Sequence, residues 1–389
     1  MRVAHVITRL IVGGAQENTV ASVLGLRQRP SVEVRLISGP TSGPEGSIEP
    51  LVTAIPGLLT RIPDLVRPVR PWHDLRAFLA LTRIFRAQRP DIVHTHSGKA
   101  GVLGRLAAKR TGVPVIIHTI HGPSFGPFQG KAANLAFTTA ERIAARCTNH
   151  FVTVADAMRD QYLAAGIGRP EQYTRVFSGF DLAPFLAAQN DPTFRAQLGI
   201  APGDFVVGKI ARIFELKGHD DLFAAAPELV RHCPQMKFLL VGDGPWRSRF
   251  EQRSRDLGLK NHFIFTGLVP PTDVPRYLGV MNALVHLSRR EGLARVLPQA
   301  LAAGKPIVAF DCDGAREICL DGETGLLLRV GDLDGLSRAL GKLAGDTALC
   351  QRLGQRGREF VKERFPVGRM VDELFALYQR LLRERAARH

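Results

Sequence analysis

The sequence lacks several features that would indicate particular classes of protein. No run of eighteen apolar residues occurs in its 389 residues, so no membrane span is expected. The five cysteines are scattered and form no CxxC pair, which argues against a zinc site or a disulfide framework and fits a reducing cytoplasm. Aromatic residues make up 7% of the chain and are not interleaved with its basic run, as base-stacking surfaces require. We therefore expect a cytoplasmic protein without a nucleic-acid partner.

The amino-terminal residues MRVAHVITRLIVGG are only partly apolar. The pattern breaks at Arg9 and again at Gly13 and Gly14, and no small-residue cleavage site follows. This segment therefore predicts a first β-strand rather than a signal peptide.

Positive charge is what the sequence has in excess. Its 52 lysines and arginines outnumber 36 acidic residues, which gives a formal net charge of +16. The excess is densest between Arg61 and Arg110, where eleven basic residues accompany three acidic ones. Such a field attracts phosphate-rich partners, namely nucleotides, nucleic acid or anionic lipid. Solvated charge on the surface of an arginine-rich protein also explains much of the excess.

The chain alternates short apolar runs with longer amphipathic stretches. The apolar runs are rich in β-branched residues, as parallel strands buried on both faces are. A single core rarely grows beyond about 250–300 residues, so we expect two α/β domains of the doubly wound, Rossmann-like type with a ligand cleft at the carboxyl ends of their strands. The expected limits are 1–182, 183–365 and a final amphipathic helix in 366–389.

The predicted strands form two series separated by a connector. They are residues 3–7, 32–38, 91–94, 115–119 and 151–154 in the first series, and 205–210, 237–241, 263–265, 283–287 and 307–310 in the second. Residues 39–72 are rich in glycine and proline and carry no predicted element.

Two glycines follow the first predicted strand and begin a helix. Glycine lets backbone N–H groups approach a phosphate, and a helix N-terminus adds partial positive charge. Gly14 is therefore a candidate phosphate contact, although a tight turn explains the pair equally well. The pattern is not GxGxxG, which argues against a dinucleotide-binding fold.

Two further candidate groups follow strands of the second series. Arg212 and Lys217 come after strand 205–210, where two fixed cations can hold a diphosphate and stabilise it as it leaves. Ordinary surface charge is the alternative for this pair. Gly242 begins a glycine-rich turn after strand 237–241, and a plain turn is an equal explanation there.

The most informative motif follows strand 283–287. Glu291 lies on the loop before a helix, and its carboxylate can accept hydrogen bonds from sugar hydroxyls. Gln299 is expected one turn inside that helix, facing back toward the loop. A capped helix with a solvent-facing glutamate is the alternative interpretation. The loop also offers candidate phosphate contacts in the backbone amides of Gly292, Leu293, Ala294 and Arg295.

Three histidines lie at the ends of predicted strands. His94 and His96 alternate along one strand and face the same side, but no carboxylate or third histidine is evident nearby, so a metal site is not expected. His121 ends the next strand, where it can hydrogen-bond a reacting sugar or its acceptor. A buried structural histidine is the alternative.

In this order along the chain, the motifs resemble those of the retaining GT-B glycosyltransferases with an E-x7-E signature, group 1 enzymes similar to glycosyltransferase family 4. The resemblance runs from residue 3 to about residue 365. It implies two Rossmann-like domains, a nucleotide-sugar donor, no metal or other cofactor, and retention of the anomeric configuration. It also implies that the final helix packs back on the amino-terminal domain.

The resemblance assigns roles to individual residues. Gly14 would approach the donor diphosphate, and Arg212 and Lys217 would bind it. His121 would lie beside the transferred sugar, and Glu291 would hold its hydroxyls. The amides of residues 293–295 would lie near the phosphates.

Gln299 departs from the family signature. It stands where the second signature carboxylate would grip the ribose. An amide can still donate to and accept from ribose hydroxyls, but it lacks charge-assisted strength. Donor affinity and donor identity are therefore where a difference from the family is expected.

The resemblance makes UDP the expected nucleotide and leaves the acceptor open. Arg76, Arg83 and Arg86 lie on an otherwise apolar predicted helix, which suits docking to an anionic membrane surface. We therefore expect a glycan or lipid-linked acceptor, with the enzyme peripheral on the inner face of the membrane.

Other functions fit the same sequence features. A sugar-nucleotide epimerase of the same fold would consume the donor without an acceptor. A non-catalytic protein that binds nucleic acid or membranes would account for the positive charge. Gln299 also allows a catalytically dead homologue.

Overall fold

A computed structural model describes residues 1–43, 46–126 and 128–387. The chain divides into two compact units. The first unit consists of Met1–Phe180 and Pro366–His389, and the second of Asp181–Phe365. The sequence places these divisions at 182 and 365.

The first unit is built on a seven-stranded parallel sheet with the order β3-β2-β1-β4-β5-β6-β7. Its strands are β1 (Arg2–Ile7), β2 (Glu33–Ser38), β3 (Leu59–Arg61), β4 (Ile92–His96), β5 (Val115–Ile120), β6 (His150–Thr153) and β7 (Tyr173–Arg175). Its helices before the second unit are α1 (Gly14–Arg27), α2 (Pro50–Thr53), α3 (Pro71–Gln88), α4 (Gly98–Arg110), α5 (Lys131–Ala145) and α6 (Asp156–Ala164). The order reverses at β1, as in doubly wound folds.

The second unit has a six-stranded parallel sheet with the order β10-β9-β8-β11-β12-β13. Its strands are β8 (Phe205–Ile210), β9 (Met236–Val241), β10 (Phe263–Gly267), β11 (Ala283–His286), β12 (Ile307–Phe310) and β13 (Gly325–Leu328). Its helices are α7 (Ala183–Leu186), α8 (Pro192–Gln197), α9 (His219–His232), α10 (Arg247–Asp256), α11 (Val274–Val280), α12 (Val296–Ala302), α13 (Leu333–Gly345) and α14 (Thr347–Arg364). Here the order reverses at β8.

The final helix α15 (Val367–Ala386) belongs to the first unit and packs on α1. The contact is close, because a Cβ on Gly25 would lie 2.3 Å from a methyl group of Val371. Its buried face also places Tyr378, which is 0% exposed, against the sheet. The final helix thereby completes one apolar layer of the first unit.

Side chains of the first sheet alternate between two apolar layers, as the pleat of a strand requires. Val3 and Ile7 enter the layer beneath α1 and α15, while Ala4 and Val6 enter the layer that contains α3 and α4. A strand buried on both faces reads as a continuous apolar run, which is why β1 is visible in the sequence.

Three strands are absent from the sequence-based prediction. They are β3, which falls in the glycine- and proline-rich residues 39–72, and the short strands β7 and β13. The structure also extends β4 to His96, two residues beyond the predicted end, so both histidines of that segment lie inside the strand. Within the described ranges, every helix is too short or too polar to cross a bilayer.

Candidate active site

The loops at the carboxyl end of the second sheet meet beside its central strand β8. In a doubly wound sheet, ligands usually bind in the crevice where the strand order reverses, and here the order reverses between β8 and β11. The loop after β8 carries Lys217, and the loop after β11 carries Glu291. The topology therefore brings together two candidate residues that are far apart in sequence.

Backbone contacts fix these two loops against each other. The N–H of Arg289 donates to the carbonyl of Leu216 at 2.8 Å. Gly218 has a φ of 67°, and a Cβ there would lie 2.0 Å from the carbonyl oxygen of Leu287, so only glycine fits. Leu216 has a φ of 66°, which is uncommon for a leucine. Lys217 is therefore held between two constrained backbone positions.

Lys217 and Glu291 form a hydrogen-bonded ion pair. The same carboxylate oxygen accepts from the Ser288 hydroxyl at 3.2 Å, and the Glu291 N–H donates to Oδ2 of Asp313 at 2.6 Å. Burial alone would raise the pKa of Glu291, but the charge of Lys217, with a smaller contribution from His286, outweighs burial and lowers that pKa. The carboxylate is therefore ionised at neutral pH. Both side chains are 25% exposed, so a ligand can reach them.

Lys209 is a functional candidate that the sequence reasoning missed. It lies on β8, its side chain is buried, and its ammonium group makes no hydrogen bond with the residues that the structure describes. Burial and the neighbouring charge of Lys217 lower the pKa of Lys209 to about 7. A second ion pair flanks it, in which Arg289 donates to Asp221 at 2.7 Å. The available signal was a charged residue inside the apolar run VVGKI.

The other predicted residues after β8 and β9 lie outside the ion pair. Arg212 is exposed, with its guanidinium 5.1 Å from the centre of the Phe214 ring. Gly242 has a φ of 132°, and a Cβ there would lie 2.3 Å from the carbonyl oxygen of Ala211. Its hydrogen is thus required where the loops after β8 and β9 touch, which accounts for this glycine by packing.

The predicted residues after Glu291 are divided between a loop and α12. Residues 292–295 precede the helix, and the carbonyl of Gly292 accepts from the N–H of Gly314 at 3.3 Å. The N–H groups of Leu293 and Ala294 donate no hydrogen bond to any described residue. The same holds for the half-buried side chain of Gln299, which lies in α12. These groups have hydrogen-bonding capacity to spare for a ligand.

In the first unit, the structure places Gly14 and His121 at the carboxyl end of the first sheet. Gly14 is exposed as the first residue of α1. His121 directly follows β5 and is partly exposed, with its Nε2 3.1 Å from Nδ1 of His96. Burial lowers the pKa of His121 to about 3, so the imidazole is neutral at pH 7.

The expectation that His94 and His96 have no third histidine nearby is wrong. His5 of β1 lies in register with His94 of β4, and its Nδ1 is 2.9 Å from Nε2 of His96. Parallel pairing of β1 with β4 joins residues about ninety positions apart, which no local spacing reveals. Nitrogens of the three rings lie within 4.8 Å of one another, close enough to hold a metal ion. Those nitrogens already have hydrogen-bond partners.

The two sheets therefore offer different chemistry at their carboxyl ends. The second presents a cation and a carboxylate on neighbouring loops, a combination that suits a ligand with both phosphates and hydroxyls. The first presents a neutral imidazole that can form a hydrogen bond without adding charge.

Two family models match the chain. The model described as glycosyl transferases group 1 matches residues 190–360, and the one described as a glycosyl transferase 4-like domain matches residues 13–178. Lys217 and Glu291 fall within the first match, and His121 within the second.

Similar proteins of known name are glycosyltransferases. A GDP-mannose-dependent alpha-(1-6)-phosphatidylinositol monomannoside mannosyltransferase of Mycolicibacterium smegmatis is 30% identical over 285 residues, which cover 69% of this chain and 72% of that protein. A UDP-Gal:alpha-D-GlcNAc-diphosphoundecaprenol alpha-1,3-galactosyltransferase of Escherichia coli is 26% identical over 321 residues, 82% of each chain. Both names contain a nucleotide-sugar donor and a lipid-linked acceptor.

A solved structure shares the fold. The crystal structure of Anabaena HepE in complex with UDP superposes with a TM-score of 0.81 at 22% identity, over 97% of this chain and 100% of that one. Like this chain, it extends over both parallel-sheet units. The chain therefore belongs to the group 1 glycosyl transferases, and it is a glycosyltransferase with the GT-B fold.

Proposed function

We propose that the protein is a retaining glycosyltransferase that moves a sugar from a UDP-sugar to a cell-envelope polysaccharide or lipid-linked acceptor without a metal ion. The observation that carries the proposal is the partly exposed ion pair of Lys217 and Glu291 where the strand order of the second sheet reverses. The E. coli relative, whose name contains UDP-Gal, supports the choice of a UDP-sugar, and the names of both the E. coli and the M. smegmatis relatives support a lipid-linked acceptor.

Donor binding exchanges the partners of this ion pair. The Lys217 ammonium moves from Glu291 to a phosphate oxygen of the donor, and the freed carboxylate accepts hydrogen bonds from sugar hydroxyls. Both groups are already charged and their loops are fixed by backbone contacts, so little reorganisation is needed. Arg212 is exposed and has no carboxylate partner among the described residues, and we assign its guanidinium to the same diphosphate.

Retention follows from attack on the face from which the diphosphate departs. The bond between sugar C1 and the phosphate oxygen breaks, and its electron pair stays on that oxygen. The acceptor oxygen forms the new bond to C1 on the same face, and a phosphate oxygen takes the acceptor proton. Lys217 and Arg212 stabilise the negative charge that develops on the diphosphate.

Further contacts to the donor come from the loop before α12, from Gln299 and from three other predicted residues. The N–H groups of Leu293 and Ala294, with Gly292 and Arg295 on the same loop, bind phosphate oxygens. Gln299 holds the ribose through its amide, and Gly242 lets the backbone approach. In the first unit, His121 contacts the transferred sugar and Gly14 approaches the diphosphate.

The outer face of α3 is the part of the first unit that we assign to a membrane surface. Of its apolar residues, Leu81 and Phe85 are buried in the core, whereas Trp72, Leu75 and Leu79 are 77%, 47% and 50% exposed. The exposed residues share this face with Arg76, Arg83 and Arg86, which form no ion pair with the residues that the structure describes. Each surface cation adds about 1 kcal/mol of attraction to an anionic membrane. Equal pelleting with anionic and neutral vesicles would refute this assignment.

A thermal-shift screen tests the donor assignment. Purified protein is heated with UDP, GDP, ADP and their common sugar conjugates, with and without EDTA. A ligand at a hundred times its dissociation constant adds about 2.7 kcal/mol to the free energy of unfolding. We expect stabilisation by UDP and UDP-sugars that EDTA does not change, and its loss in Lys217→Met.

Other results of the screen would correct or reject the proposal. Stabilisation by GDP alone would identify GDP, and not UDP, as the nucleotide of the donor. Loss of the stabilisation in EDTA would show that the donor binds with a metal ion. A UDP-sugar that is converted without any acceptor would identify an epimerase. NMR of the product reports the anomeric configuration, and inversion would reject the retaining mechanism.

A further inference from the structure

A row of polar side chains crosses the apolar layer beneath the final helix of the first unit. His5 of β1 and His94 and His96 of β4 are 1% exposed or less, yet they share this layer with Val3 and Ile7. Buried polar groups are costly unless every donor and acceptor is paired. Each nitrogen of these rings is therefore expected to have a hydrogen-bond partner.

The rings form one continuous chain of hydrogen bonds that ends at His121. On the inner side, Thr119 Oγ1 lies 2.6 Å from Nε2 of His94, and the Tyr378 hydroxyl joins Nδ1 of His94 to Nε2 of His5, the latter at 3.4 Å. On the outer side, the contacts run from Nδ1 of His5 to Nε2 of His96 at 2.9 Å, and from Nδ1 of His96 to Nε2 of His121 at 3.1 Å. The contact between Tyr378 and His5 is the longest of the series.

A neutral imidazole has one N–H donor and one acceptor nitrogen. Each contact in this chain needs one donor and one acceptor. The buried Tyr378 hydroxyl has His94 and His5 as its hydrogen-bond partners among the described residues, so it must donate to one and accept from the other if its hydrogen is to be paired. The choice at any ring therefore fixes the choice at the next. If the hydroxyl of Thr119 donates to His94, all four histidines carry their hydrogen on Nδ1. If the direction is reversed, all four carry it on Nε2.

Thr119 distinguishes the two directions. It is 3% exposed, and its hydroxyl has no hydrogen-bond partner other than His94 among the described residues. In the Nε2–H direction, His94 donates to Thr119 and the hydroxyl hydrogen of Thr119 is buried without an acceptor, which is unfavourable. In the Nδ1–H direction the hydrogens of Thr119, His94, Tyr378, His5 and His96 are all paired, and the one that remains is the Nδ1–H of His121, which is partly exposed.

We propose that this buried chain holds His5, His94, His96 and His121 in the Nδ1–H tautomer. His121 then presents its Nδ1–H as a hydrogen-bond donor, and this nitrogen has no partner among the described residues. The inference rests on the proposed function in one respect, namely that this donor meets an oxygen of the transferred sugar. His5, His96 and Tyr378 are positioning residues in this arrangement, because they act through His121.

Burial keeps the chain neutral. It lowers the pKa of His5 to about 3 and the pKa of His121 to about 3. Burial, and then the neighbouring histidines, lower the pKa of His94 and of His96 well below the usual value. A metal ion on the three inner rings would instead take nitrogens that already pair with each other, with Tyr378 and with Thr119.

Nitrogen-15 NMR of protein labelled at histidine tests the tautomers directly, since protonated and unprotonated imidazole nitrogens resonate far apart. We expect four neutral rings with the hydrogen on Nδ1 between pH 6 and 8, in the absence of donor. An Nε2–H signal from any of the four, or stoichiometric metal in the purified protein, would overturn the inference.

The variant His96→Phe tests the role of the chain at His121. It removes the partner of His121 Nε2, so the Nδ1–H population of His121 should fall and its pKa should rise. Loss of one oriented hydrogen bond should lower kcat/KM for the donor about 3- to 10-fold. His150→Phe is the matched control, because His150 is buried in the same sheet but pairs with Thr174 outside the chain.

The outcomes separate this inference from the proposed function. Equal kcat/KM in His96→Phe and His150→Phe, with the NMR tautomers as expected, would overturn the role in sugar recognition. Absence of transfer from every sugar nucleotide would overturn the proposed function and that role together. The tautomer assignment is still decided by NMR of the free protein.

Discussion

The carboxyl ends of the two sheets hold their polar side chains in different states of charge. In the first unit, four histidines form a neutral chain under the final helix. In the second, Lys217 pairs with Glu291, and Arg289 pairs with Asp221. The sheets reverse strand order in the same way, so the difference comes from the side chains and not from the topology.

The charged ion pair and the neutral histidine chain suit the binding of different ligand groups. An ion pair can exchange one partner for a charged ligand, because each group remains ionised and only the contact changes. A chain of neutral imidazoles adds no charge, but it can fix which nitrogen carries the hydrogen. The second sheet is therefore suited to a diphosphate, and the first to an uncharged oxygen.

The largest effect is expected from removing one charge of the ion pair in the second unit. Lys217→Met should lower turnover about 10²- to 10³-fold, because it removes a cation that stabilises the leaving diphosphate. Steady-state kinetics with the donor identified by thermal shift measure this loss. Lys342→Met, which removes an exposed lysine of α13, is the control. Unchanged turnover in Lys217→Met would reject the assignment.

Lowering the pH should destabilise the first unit more than the second, because more of its buried histidines are held neutral. Burial lowers the pKa of His5 to about 3, whereas an unfolded histidine has a pKa of about 6.5. Between these values the unfolded chain binds more protons, so stability that is present above pH 6.5 falls as the pH falls, by about 2 kcal/mol per such histidine at pH 5. Burial lowers the pKa of more histidines in the first unit than in the second. In the first unit these are His5, His94, His96, His118, His121 and His150. In the second unit they are His219 and His286.

Hydrogen exchange measures this difference between the units. Amides of β1 and β4 should lose more protection between pH 7 and pH 5 than amides of β8 and β11, after correction for intrinsic exchange rates. Greater loss in the second unit would contradict the prediction.

The next largest effect is expected at Lys209, whose ammonium is buried in the second unit and makes no hydrogen bond with a described residue. Burial and Lys217 lower its pKa to about 7, so between pH 7 and about 10.4 the unfolded chain binds more protons than the folded one. Stability should rise with pH across that window by up to about 1.4 kcal/mol per pH unit. Urea unfolding at several pH values measures this dependence, and the free energy of unfolding should rise less steeply with pH in Lys209→Met than in the wild type. The exposed Lys260→Met is the control, and an equal slope in both variants would contradict the interpretation.

The smallest effect is expected at Gln299. Gln299→Glu restores a charged acceptor, and charge-assisted hydrogen bonds are about twice as strong as neutral ones. KM for the donor should therefore fall about 3- to 10-fold with kcat little changed. The exposed Gln355→Glu on α14 is the control. A higher KM in Gln299→Glu would indicate that the amide itself is required.

The sequence located most strands of both sheets and the loops that carry the candidate site. Strands buried on both faces appear as apolar runs, which is why β8 and β12 have the predicted bounds. The strands β7 and β13 were missed, because both lie at the edge of their sheets and most of their residues are only partly buried. Lys217 and Glu291 were found because each follows a predicted strand.

The sequence failed where contacts depend on strand neighbours. His5 was not singled out, because only the pairing of β1 with β4 places it beside His94 and His96. Lys209 was placed in a strand but was not recognised as a functional candidate, because its charged neighbours lie on α9 and on the loops after β8 and β11. Neither environment has a local spacing that could be recognised.

By itself, the sequence determined the alternation of strands and helices, the glycines that let loops approach, and the residue types at strand ends. These are local properties, set by side-chain size, β-branching and backbone freedom. It is the tertiary structure that pairs Lys217 with Glu291, buries Lys209, and joins the histidines through Tyr378 of the final helix. The physical reason is that burial and hydrogen bonding depend on which elements become neighbours, and parallel sheets make neighbours of residues far apart in the chain.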